Sequence, residues 1–417
     1  MNPLRPQGSR VSRATSRSEG EVRSTDGSAG TWHSENVRGH VRALDGVRGV
    51  AIAAVILYHG WNYTGDGSVG LAIDQARSIG WAGVDLFFVL SGFLITGILL
   101  ETRSEQRYWS NFLIRRGVRI FPLYYAVLLL LVIGAIVAKR LGGDSDPAMF
   151  AITNIWINFL YLTNFAIAKF GENHVPLDIS WSLAVEEQFY LAYPWLVRRV
   201  RPRTLVVVLC SVVAIAPVLR GLTWAYGAQP TLGPYVLPYC RLDALAVGAL
   251  IRVMLELKWN RVTTVIARFA PVACAVGLVV LYSWTRKDLR FVVIGYTTTC
   301  IAGASLIAWL VTAPPASWIV RAFENPVLVY LGKISYGLYL FHLLARFAGT
   351  YALTIVSGKK QFAEAWFCAA QLITMTVLAI AIAALSYRYI ERPILAYKDR
   401  FAPRGGGPRQ RSDRQGP

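Results

Sequence analysis

The chain has 417 residues, 54% of them hydrophobic and only 16% charged, with a formal net charge of +19. Soluble domains carry about 25% charged residues. Here many apolar runs approach the ~20 residues that span a bilayer and are apolar all round, which excludes a soluble helical protein and predicts an all-α polytopic membrane protein. The positive charge lies in the N-terminal tail, between apolar runs and at the C-terminus. The positive-inside rule produces that placement, so no nucleic-acid partner is expected.

Residues 1–40 are rich in Arg, Ser and Gly and lack an apolar core. They read as a disordered basic cytoplasmic tail rather than a cleavable signal peptide. Residues 41–395 hold the apolar runs, and the polar residues 396–417 read as a second disordered cytoplasmic tail. Cys210, Cys240, Cys274, Cys300 and Cys368 lie singly, without a CxxC or a zinc spacing. They read as small buried residues, and no metal is expected.

The first apolar run is "VRALDGVRGVAIAAVILYHG", residues 41–60. His59 follows Arg48 by eleven residues, about 16 Å along a helix and within about 20° of the same face. Charges are expensive against lipid. Either Arg48 snorkels and His59 is interfacial, or both face one cavity. The run "WAGVDLFFVLSGFLITGILL" returns with Asp85 near its outer end, at the depth of His59. A carboxylate there would orient the imidazole, as in general-base pairs, or cap the helix near Gly83. Ser91 and Gly92 read as a close helix contact.

"RRGVRIFP" opens the third run, with Arg116 and Arg119 on one helical face. Paired guanidiniums suit phosphate, and ordinary positive-inside anchoring is the alternative. Residues 149–166, with Asn and Trp among apolar residues, read as an interfacial or re-entrant segment of the outer face. "ISWSLAVEEQFYLAYPW" brings Glu186, Glu187 and Tyr190 into an apolar helix, with Glu186 placed level with His59 and Asp85. Arg241 and Asp243 enter a helix in "YCRLDALAVGAL", and "ISYGLYLFHLL" puts Tyr339 and His342 on one face. So many polar groups imply a hydrated cavity that opens outward and has a cationic cytoplasmic mouth.

Charge also counts the spans. With the basic N-terminus inside, the runs at 46–62, 81–101, 120–138, 180–197, 203–220, 238–256, 264–283, 290–312, 327–350 and 366–389 alternate to give ten crossings with both termini cytoplasmic. Arg286, Lys287 and Arg290, and also Lys359 and Lys360, then fall outside, against the rule.

In order and spacing these segments resemble the acyltransferase 3 family of bacterial membrane proteins, which includes O-antigen acetylases and macrolide acyltransferases. The resemblance covers about residues 41–395 and rests on "RALDGVRGVAIAAVILYH", "GVDLFFVLSGFLIT", the Arg116–Arg119 pair, "WSLAVEEQFY", "RLDALAVGAL", "ISYGLYLFHL" and "YRYIERP". It implies a multi-pass enzyme of the bacterial inner membrane. Such an enzyme transfers an acyl group, often acetyl from acetyl-CoA as co-substrate, to a hydroxyl of a carbohydrate or glycosylated small-molecule acceptor. Arg48, Arg116 and Arg119 would hold the CoA phosphates, and His59 would be the general base, oriented by Asp85 or Glu186. A transient acyl-His59 is a rival route. Arg241, Asp243, Tyr190, Tyr339 and His342 would line the substrate site. Many family members carry a further C-terminal esterase-like domain. Only about two dozen polar residues follow Pro393 here, so that domain is expected to be lacking. A transporter or flippase would use the same midplane polar groups, but the inverted-repeat kind would show two matching halves, and none stands out.

Overall fold

The computed structural model describes residues 41–401 apart from 141–144, 173–175, 359–361 and 363. Residues 1–40 and 402–417, Lys359 and Lys360 lie outside the described residues. Among the described residues the chain is helical throughout, with no strand. In order the helices are α1 (Arg42–Gly60), α2 (Ser68–Arg77), α3 (Gly83–Glu101), α4 (Tyr108–Arg140), α5 (Ser145–Phe159), α6 (Thr163–Phe170), α7 (Trp181–Arg199), α8 (Pro202–Tyr226), α9 (Gly233–Val236), α10 (Pro238–Glu256), α11 (Asn260–Arg268), α12 (Ala270–Ser283), α13 (Tyr296–Thr312), α14 (Trp318–Phe323), α15 (Pro326–Lys333), α16 (Ser335–Ser357), α17 (Ala365–Ser386) and α18 (Arg392–Phe401). The last of these carries helix past the boundary expected at residue 395.

Prolines open α8, α10 and α15, where the missing N–H has no helical partner to lose. The Asn325 side chain also caps α15, accepting from the Val327 N–H at 2.9 Å. Two expected spans are interrupted. The run at 327–350 divides at Ile334 into α15 and α16, and the Ser335 hydroxyl bonds the Gly332 carbonyl at the break at 2.8 Å. The run at 264–283 bends by 51° between α11 and α12. Residues 149–166 are likewise two helices, α5 and α6, tied to the segment before α7 by Asn158. Its amide donates to Thr163 Oγ1, the Leu177 carbonyl and Ser180 Oγ at 3.0–3.1 Å.

Among the described residues seven helical segments are long and apolar enough to cross a membrane, or eight with the bent pair α11–α12. They turn large apolar side chains outward, among them Leu129, Val207, Val279 and Ile373, as helices facing lipid do. The protein is therefore a multi-pass helical membrane protein. The 19-residue helices α7 and α10 match the runs expected at 180–197 and 238–256 but are not among the segments apolar enough to qualify. They carry polar groups of the bundle interior, although α7 also exposes Leu191 and Trp195 on its outer face. Helix α10 is buried along nearly its whole length from Cys240 to Val253. Glycine makes its crossing with α3 possible. A Cβ at Gly92 would strike the Leu245 carbonyl oxygen, and one at Gly248 would strike that of Val89, so the two backbones touch.

Candidate functional site

Two cavities lie in the bundle. The first, of about 120 Å³, gathers Arg48 from α1, Ser91 from α3, Arg116 and Arg119 from α4, Glu186 and Tyr190 from α7, and Tyr336 from α16. Arg48 donates to Asp45 Oδ1 at 3.1 Å. The Arg116 guanidinium stands over the rings of Tyr190 and Phe112, 5.6 and 5.8 Å from their centroids. Neither Arg116 nor Arg119 makes an ion pair among the described residues. The one carboxylate lining this cavity is already committed, because Glu186 accepts from Ser91 Oγ at 2.6 Å and from the Tyr190 hydroxyl at 3.2 Å.

The second cavity, of about 380 Å³, holds His59, Tyr58, Trp81, Trp181, Tyr235, Arg286 and Arg346, with Glu172 and Asp178 also on its lining. His59 is backed by His342, whose side chain is fully buried. The two rings lie 4.9 Å apart. His342 Nδ1 is 2.7 Å from the Tyr339 carbonyl. A carbonyl only accepts, so this nitrogen carries the proton and His342 Nε2 presents a lone pair. That lone pair lies 3.3 Å from His59 Nδ1, which also lies 3.0 Å from the Val55 carbonyl. Both neighbours accept, so His59 Nδ1 is the protonated nitrogen. The chain of bonds leaves Nε2 of the neutral His59 ring unprotonated and able to take a proton.

The two cavities share Val84 and Tyr339 in their linings. The Tyr339 hydroxyl donates to the Ile179 carbonyl at 2.8 Å, so its oxygen accepts from Ser182 Oγ at 2.7 Å. This tyrosine forms the partition between the arginines and the histidine.

A family model described as an acyltransferase domain, acyltransferase 3, matches residues 41–388. The chain belongs to the acyltransferase 3 family. It is 29% identical over 380 residues to the peptidoglycan O-acetyltransferase OatA of Listeria monocytogenes, covering 86% of this chain and 56% of that one. It is 29% identical over 384 residues to the putative peptidoglycan O-acetyltransferase YrhL of Bacillus subtilis, covering 87% and 56%. A putative O-acetyltransferase of Staphylococcus aureus strain COL is 28% identical over 378 residues, covering 85% and 57%. The chain thus spans just over half the length of these relatives. No solved structure matches it.

The acyltransferase chain brings some of the expected site residues together and separates others. Arg48, Arg116 and Arg119 meet as expected, with Tyr190 beside them. Arg48 and His59 do not face one cavity; the Tyr339 partition stands between them. Glu186 does not lie level with His59, because α7 starts at the partition and carries it to the arginine side. Asp85 does not orient the imidazole either. Its Oδ1 is taken by Arg241, and its Oδ2 accepts from Thr299 at 3.3 Å. Imidazole, not carboxylate, stands behind His59.

Arg241 and Asp243 line neither cavity and are fully buried in the bundle. Arg241 pairs with Asp85 and sits 4.5 Å from the centroid of Tyr296. Asp243 pairs with Arg220 at 2.8 Å and accepts from Thr297 at 2.6 Å. Arg220 also donates to the carbonyls of Cys240, Val292 and Val293, the last two exposed by the π-helical turn Phe291–Gly295. These are buried pairs that join helices. Tyr339 does line both cavities, whereas His342 lines neither of the two and contacts His59 at 3.3 Å. Sequence reasoning missed Arg220 because its span was ended there, whereas α8 continues to Tyr226. It missed Arg346 although this residue falls four after His342 on the same helical face.

Proposed function

We propose that this protein is a ten-span membrane O-acyltransferase of the bacterial inner membrane, with both termini cytoplasmic, that moves an acyl group, in the first instance acetyl, from acyl-CoA to a hydroxyl of a carbohydrate or glycosylated acceptor. The ten spans are the seven apolar segments, the bent pair, and the polar interior helices α7 and α10. One observation carries the reading. A cavity holding two arginines without an ion pair abuts, across one tyrosine, a cavity whose histidine has an unprotonated nitrogen.

Arg116 and Arg119, with Arg48 beside them, suit the phosphates of CoA, since guanidinium pairs phosphate through paired charge-assisted bonds. The pantetheine arm would carry the thioester past Ser182 and Tyr339 toward His59. There His59 Nε2 takes the proton of the acceptor hydroxyl, and the oxygen attacks the thioester carbonyl. The C–S bond breaks, and the resulting imidazolium returns the proton to the CoA sulfur. General-base help of this kind is worth about 10²–10⁴ in rate. His342 is a positioning residue: it holds the His59 tautomer and disperses the charge that forms. The relatives named as peptidoglycan O-acetyltransferases support a glycan acceptor for this chain.

The test is transfer from radiolabelled acetyl-CoA to a solubilised bacterial glycan fraction by the purified protein in nanodiscs, beside His59→Ala. Transfer should fall by about 10²–10⁴ in the variant while acetyl-CoA binding persists. Transfer near the wild-type rate in His59→Ala would remove His59 from the chemistry. Vesicle uptake of acetyl-CoA or glycan without transfer would favour a transporter.

A further inference from the structure

On the proposed orientation Arg286 breaks the charge rule that orders most of the chain, since it falls in the connection after α12, on the outer side. In the structure its guanidinium is drawn into the His59 cavity. It stands 4.6, 5.4 and 5.7 Å from the ring centroids of Tyr235, Trp81 and Tyr58, and Nη2 donates to the Tyr58 hydroxyl at 2.7 Å. Tyr58 in turn sets its ring edge to face against His59, with centroids 4.9 Å apart. Arg346, one helical turn beyond His342, lines the same cavity from α16.

Among the described residues neither guanidinium makes an ion pair, and Arg346 has no hydrogen bond. The nearby Arg77 differs, being neutralised by Asp74 at 2.7 Å. Glu172 and Asp178 share the lining, each with interactions of its own, and Glu172 also attracts Arg286 without an ion pair to it among the described residues. Two cations in a partly enclosed site pay desolvation that an anion would offset, and their planar forks fit a pair of anionic oxygens.

We infer that the acceptor seated over His59 carries a negative charge, a carboxylate or a phosphate held between Arg286 and Arg346, so that acyl transfer is directed to an acidic glycan. This rests on the acyl-transfer reading above. It also explains why an arginine is retained where the charge rule disfavours one.

Equilibrium dialysis of radiolabelled methyl glucuronide, glucose 1-phosphate and methyl glucoside against the protein in nanodiscs tests it, using wild type, Arg346→Gln, Arg286→Gln and Arg346→Lys. Charge-assisted bonds of about 1.5–3 kcal/mol predict at least about tenfold tighter binding of an anionic probe over the neutral one. That preference should vanish in Arg346→Gln, weaken in Arg286→Gln and return in part in Arg346→Lys. Preference for the glucuronide assigns the charge to a sugar carboxylate, and preference for glucose 1-phosphate assigns it to a phosphate. Equal affinities, a preference that survives both glutamine variants, or no binding of any probe would each overturn the inference. Acetyl-CoA binding, read in the same samples, should not change among the variants. Its absence from wild type would count against the acyl-transfer reading while leaving an anion preference standing.

Discussion

The arginine cavity and the histidine cavity have in common only Val84 and Tyr339, and their positive charges have different histories. Arg116 and Arg119 lie in the N-terminal half of α4, ahead of its most apolar stretch, where on the proposed orientation the charge rule places arginine in any case. Their composition alone is therefore ambiguous between anchoring and binding. Their geometry supports the proposed binding role, since they converge on a cavity whose lining carboxylate is held by Ser91 and Tyr190. On the proposed orientation Arg286 and Arg346 sit where the charge rule gives no reason for them, which is what the inferred anionic ligand would account for. The same side chain thus carries different information at the two ends of one bundle.

That comparison can be broken most severely through the pairs that belong to neither cavity. Asp243→Ala strands Arg220 in the interior, and breaking such a pair costs about 3–5 kcal/mol. Melting in detergent should fall sharply and both cavities should fail together, whereas Arg220→Met combined with Asp243→Leu should recover much of the loss. The next effect separates the two ends. Arg116→Ala with Arg119→Ala removes two charge-assisted contacts of about 1.5 kcal/mol each, or about a hundredfold in acetyl-CoA affinity, and glycan affinity measured by dialysis should not change. Unaltered acetyl-CoA affinity would return the pair to plain anchoring.

Smaller effects sharpen the picture. His342→Phe removes one of the two acceptors of His59 Nδ1 and leaves the Val55 carbonyl, and kcat should fall about tenfold without a change in acetyl-CoA affinity. His342→Gln, whose amide oxygen can accept the same proton, should retain more of the rate. Tyr339→Phe deletes the bonds to Ile179 and Ser182. Its expected signature is a rise of about two- to fivefold in acetate release without acceptor, measured with radiolabelled acetyl-CoA.

Much of this was legible in the sequence, for identifiable reasons. Long apolar runs flanked by arginine located α1, α3, α4, α8 and α17, because lipid tolerates little else. Helices α7 and α10 were found despite their polarity, and that polarity marked them as interior. The i, i+3 spacing of Arg116 and Arg119 gave their shared face. What could not be read was partner choice at a given depth. Asp85 and His59 lie on neighbouring helices, yet Arg241 claims the carboxylate, and this is decided by how α3 and α10 meet at Gly92 and Gly248. The split between α15 and α16 was likewise hidden, since Gly332, Lys333 and Ser335 interrupt the apolar run too briefly to set the turn at Ile334 apart from a continuous helix.

The partition at Tyr339 has a consequence for the cell as well as for the chemistry. On the proposed orientation, one cavity opens to the cytoplasm and the other to the outside. A continuous water column between them would conduct protons and short-circuit the gradient that the membrane exists to hold. Tyr339, its hydroxyl bonded to one backbone carbonyl and one serine, stands with Val84 where the two linings meet. On the proposed reaction a thioester arm would displace the Tyr339 side chain and occupy the space itself, keeping the membrane electrically tight while an acyl group passes.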